Sequence, residues 1–178
     1  MPRPLAPTAR PLASTARPLA STARPLALAG LLLALAGLAG CGSGAERTPA
    51  ACLAGQAAYQ RALRSAPGDV RLAGGTPIGD CLTPNQSAGD ITRVGSALLA
   101  ATTNLNAEAR AAPRSPAPVR LGYLIGAVSA GAGDTGGIHA NLVSRLTAAA
   151  RFSPGGTPLD PALEAAYARG RAAGLRRG

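Results

Sequence analysis

The chain is predicted to be all-α, a small bundle of four to five helices, from three features. Apolar residues recur at spacings of three and four along several stretches. Clusters of Pro and Gly separate those stretches, and helix-capping residues stand at their starts. No stretch alternates apolar and polar residues as a half-buried strand does.

The N-terminal segment is set apart from the bundle. ARPLAST occupies Ala9 to Thr15 and again Ala16 to Thr22, and ARPLA returns at Ala23. Pro11, Pro18 and Pro25 remove helix hydrogen bonds, so the seven-residue period is read as a duplicated, disordered leader and not as a coiled coil. From Leu26 to Gly40 the chain carries no charge, and Arg3, Arg10, Arg17 and Arg24 precede it with no acid before Glu46. That run is shorter than the roughly 20 residues a membrane-spanning helix needs and matches the apolar region of a secretory signal.

The run closes on Leu38-Ala39-Gly40-Cys41. This tetrad resembles the lipobox of bacterial lipoproteins: an aliphatic residue, a small residue, Gly or Ala, then Cys. The resemblance implies cleavage between Gly40 and Cys41 and a diacylglyceryl group on the Cys41 thiol. It divides the chain into a signal peptide with its leader (1–40), a short linker (41–48) and a helical domain (49–178). An ordinary secretion signal that happens to contain a cysteine is the alternative.

Five helices are expected in that domain. The first opens at Thr48-Pro49, a cap followed by Pro, and runs to Ala66 with Cys52, Tyr59, Leu63 and Ala66 on one face. A Gly- and Pro-rich connection from Pro67 to Thr83 follows, held mainly by Cys81. The second helix, about Pro84 to Arg110, carries Ile91, Val94, Leu98, Ala101 and Leu105 as a narrow apolar seam. The third starts near Pro118 with Leu121, Leu124, Ile125 and Val128 on one face. The fourth runs from about Thr135 to Phe152 through Ile138, Leu142, Leu146 and Ala149, with His139 on its polar face. The last opens at Asp160-Pro161, with Leu163, Tyr167, Gly170 and Gly174 on one side. Tyr59, Tyr123, Phe152 and Tyr167 are expected core fillers.

The chain has three Cys. With Cys41 lipidated, Cys52 and Cys81 remain as a pair in an oxidising compartment, and a disulfide between them is expected; two separate buried thiols are the alternative.

Several short motifs invite a catalytic reading. Gly131 to Gly136 fits G-x-G-x-x-G, but a dinucleotide site needs flanking strands and an acid about twenty residues on, where Arg151 stands instead. Asp134-Thr135-Gly136 matches the aspartic-protease triplet without the β-rich fold that chemistry requires. Ala127-Val128-Ser129-Ala130-Gly131 resembles a nucleophile elbow, yet Asp134 and His139 follow too closely to converge on Ser129. With one His and two paired Cys, no nitrogen and sulfur metal set can be assembled. Gly122-x-x-x-Gly126 is a spacing that lets two helices approach closely.

The chain has a formal charge of +10, and all of its basic residues are Arg. Part of this excess reflects a GC-rich coding bias, and no nucleic-acid-reading module or interleaved aromatics accompany it. Fourteen of the eighteen basic residues and all eight acids follow Gly40, leaving the mature part at +6. Arg169, Arg171, Arg176 and Arg177 crowd the last helix and are candidates for contact with an anionic lipid surface. The function expected is that of a lipid-anchored, extracytoplasmic envelope protein with a non-enzymatic accessory, binding or structural role. No cofactor, metal or nucleic acid is expected, and the partner is the membrane. A small-molecule-binding lipoprotein is the alternative, and a small envelope hydrolase a more distant one.

Overall fold

A computed structural model describes residues 47–151 and 160–178. Among them lie five α-helices and no strand: α1 (Gln56–Ala62), α2 (Ala88–Ala111), α3 (Ala117–Gly133), α4 (Ala140–Ala149) and α5 (Pro161–Arg177). The fold is thus the expected small all-α bundle, and the Cys52–Cys81 disulfide is present. The leader, the apolar run, Cys41 and Phe152 lie outside the described residues.

Helix directions follow from the contacts. A Cβ at Gly122 would collide with the Tyr167 carbonyl oxygen, one at Gly126 with that of Arg171, and one at Gly174 with that of Tyr123. Residue numbers rise together across these contacts, so α3 and α5 run parallel. Asn106 Nδ2 donates to the Ala149 carbonyl at 2.8 Å and the Arg151 carbonyl at 3.1 Å, and Gly95 lies against Leu142, so α2 and α4 also run parallel. The short connection 112–116 reverses the chain between α2 and α3, giving an up-and-down order from α2 to α5. Helix α3 is central: Leu121, Tyr123, Leu124, Ile125, Ala127 and Val128 are all buried around its circumference.

Three helix starts differ from expectation, each for a local reason. The first helix is broken at Gly55, whose φ of 79° is left-handed, so a 3-10 turn at Ala50–Leu53 precedes the shorter α1. Helix α2 starts at Ala88 and not Pro84, because the Ser87 hydroxyl accepts the Asp90 amide at 3.1 Å and caps it there. Helix α4 begins five residues late, since Gly136 and Gly137 take φ of 61° and 90° and make a turn. That delay exchanges two environments. Ile138, expected in the apolar seam, is 42 % exposed, and His139, expected on the polar face, is 1 % exposed.

The connection 67–83 contributes to the core instead of merely bridging it. Val70, Leu72, Ile78 and Leu82 are buried against α3 and its neighbours. Tyr59 and Tyr123 are wholly buried, and Tyr167 packs partly buried at the core's edge. The Tyr59 hydroxyl donates to the Cys52 carbonyl at 2.8 Å, tying α1 to the turn that carries the disulfide.

Candidate functional site

The entry end of the bundle, where the chain arrives from Cys41, is organised by a buried polar node drawn from three distant segments. Gln86 Nε2 donates to Thr48 Oγ1 at 2.8 Å and to the Cys81 carbonyl at 3.0 Å. Gln86 Oε1 lies 2.8 Å from His139 Nε2. The Cys81 carbonyl can only accept, which orients the Gln86 amide and leaves Oε1 to face the ring. His139 must therefore donate from Nε2, so its Nδ1 is the bare nitrogen. That atom is buried without a hydrogen-bond partner. Burial pulls the His139 pKa below its ordinary value, which keeps the ring neutral and the node intact. Thr48 and Gln86 are themselves buried, and the node fixes the point at which the chain joins the fold.

The C-terminus of α5 lies at this same end. Gly178 packs against Gly79, Gly79 against Gly131 at the end of α3, and two residues beyond Gly79 is Cys81, which Gln86 grips. Arg176 and Arg177 are consequently at the entry end and exposed. Arg169 is two helical turns farther from it, about 10 Å along the axis. Arg171, two residues on from Arg169, points roughly 200° around the helix from it. All four are exposed, but the fold does not gather them on one surface. Arg176 and Arg177 sit beside Leu175, which is 44 % exposed.

The tempting catalytic motifs are not assembled. Ser129 lies within α3, and its hydroxyl donates to the Ile125 carbonyl of its own helix at 2.7 Å. His139 faces Gln86 and not Ser129, and Asp134 is exposed. The Gly131–Gly136 stretch spans the last three residues of α3 and the turn after it, without the strand a dinucleotide fingerprint needs. No group of three or more His, Cys, Asp or Glu comes together among the described residues. None of the described helices is long and apolar enough to cross a membrane. A shallow groove of about 180 Å³ between α2 and α4 is lined by Ile91, Thr92, Gly95, Ile138, Leu142 and Arg145 among others.

Gln86 and Leu175 are not singled out by the sequence, and Thr48 is expected only as a helix cap, whereas its hydroxyl makes no cap bond and accepts from Gln86 instead. A single Gln ahead of a Ser cap carries no periodic signal, and its partners lie 38 and 53 residues away. No family model, curated protein or solved structure matches the chain.

Proposed function

We propose that this protein is a lipid-anchored component of the bacterial cell envelope, held at the membrane through a diacylglyceryl group on Cys41, with a non-enzymatic accessory or structural role. The observation that carries the reading is Leu38-Ala39-Gly40-Cys41, placed directly after an uncharged run that basic residues precede. The Cys52–Cys81 disulfide supports it, because such a bond persists in an oxidising compartment outside the cytoplasm. The chemistry of the node supports a structural role, since its hydrogen bonds through Gln86 tie together the segments that carry Thr48, Cys81 and His139.

Mass spectrometry of the membrane fraction tests the proposal. The mature N-terminus should be Cys41 carrying added acyl mass, and Cys41→Ser should remain uncleaved or leave the membrane. Cleavage elsewhere with an unmodified Cys41 would sink the reading.

A further inference from the structure

Ile138 and Leu175 are the large hydrophobic side chains that stand exposed among the described residues, at 42 % and 44 %. They come from different elements, the α3–α4 turn and the last turn of α5, yet both lie at the entry end. Arg176 and Arg177 follow Leu175 directly. Ile138 continues into the α2–α4 groove beside Ile91 and Leu142. We infer that this end of the bundle rests in the headgroup region of an anionic bilayer, with Ile138 and Leu175 inserted and Arg176 and Arg177 on lipid phosphates. The inference rests on the lipid-anchor reading above.

Tether length selects this occupant. Seven residue steps separate Cys41 from Thr48, a contour of at most about 25 Å even when fully extended. Helix α5, with 17 residues, is itself about 25 Å long. An anchored domain thus keeps its entry end nearest the lipid, and bringing the far end down would require a nearly straight tether laid along the bundle. Charge alone does not choose the end. Arg47, Arg176 and Arg177 stand there together with the exposed Asp80 and Asp134 and the half-buried Asp90. The apolar pair makes the difference: exposed apolar side chains, with two Arg directly after Leu175, suit the boundary between headgroups and acyl chains, where an Arg stem lies on apolar surface and its head reaches phosphate.

The chain contains no Trp, so a single Trp reports its own position. Full-length protein carrying Ile138→Trp, Leu175→Trp or Ala165→Trp would be purified in its lipidated form. Each variant is then reconstituted into vesicles of phosphatidylcholine and phosphatidylglycerol brominated high on the acyl chains. The expected result is blue-shifted, bromine-quenched emission at 138 and 175 and neither at 165, an exposed position near the far end of α5. Adding Arg176→Gln and Arg177→Gln to Leu175→Trp should lower the docked-to-undocked ratio by roughly fivefold per residue. Three results overturn the inference. Protein that fails to stay with the vesicles overturns the anchor reading as well. Vesicle-bound protein with unquenched Trp at 138 and 175 overturns the docking alone. A blue shift that grows with protein concentration and is not quenched would show that a second copy covers this end.

Discussion

His139 shows how one residue's environment sets a pH response. Burial lowers its native pKa below the ordinary 6.5, so in the window between those values the unfolded chain binds the proton and the folded one does not. Stability is therefore complete above 6.5 and falls as pH drops through 6.5 toward the lowered native value. Protonation would also place a donor on Nδ1, which has no acceptor in reach. His139 is the chain's only histidine. Thermal unfolding followed by circular dichroism should show the melting temperature declining as pH is lowered from about 7.5 to 5. His139→Gln should flatten that decline, and an unchanged slope would show that another group is responsible.

At the scale of the element, the parallel pair α3 and α5 depends on four glycines, Gly122 and Gly126 facing Gly170 and Gly174. A Cβ at Gly126 would also stand 2.9 Å from the Leu175 amide nitrogen, and one at Gly174 2.8 Å from that of Ala127. These neighbours are backbone, which cannot swing aside. Gly126→Ala should cost about 1–3 kcal/mol by forcing the helices apart. Gly133, at the end of α3, has nothing within 4 Å of where its Cβ would lie. Gly133→Ala should be neutral or gain up to about 0.5–1 kcal/mol from helix propensity. Denaturant melts of the two variants separate close packing from propensity, and equal effects would contradict the close-approach account.

For the whole molecule, the Cys52–Cys81 bond closes a segment with a sequence separation of 29. The chain inside it contains the short α1 and a connection with only 3-10 turns. Val70, Leu72 and Ile78 in that connection nonetheless pack into the core. Little regular hydrogen bonding holds the segment, so the cross-link matters more here than inside a long helix. On the loop-entropy model, replacing both cysteines with Ser should remove roughly 3–4 kcal/mol of stability. Calorimetry of the double variant measures it, and a non-reducing peptide map should recover both cysteines in one fragment. A change below about 1 kcal/mol would mean that packing alone holds the segment.

Much of the architecture is legible in the sequence. The seam from Val94 to Leu105, the face from Leu121 to Val128 and the Asp160-Pro161 start of α5 are local patterns of period, cap and breaker, and each produced the expected helix. The spacing of Gly122 and Gly126 signals a close approach, and Gly170 and Gly174 fall on one side of the last helix. Parity of the remaining cysteines announced their pairing, a matter of counting. The node and the entry end were not legible. Gln86 acquires its role only when folding brings Thr48 and His139 within 2.8 Å of it. Ile138 and His139 exchange core and surface because two glycines delay α4, a shift too small for a period to register. Periodicity reports which way a side chain faces along its own element. Which elements meet, and what their ends place side by side, is decided by packing between segments that share no local pattern.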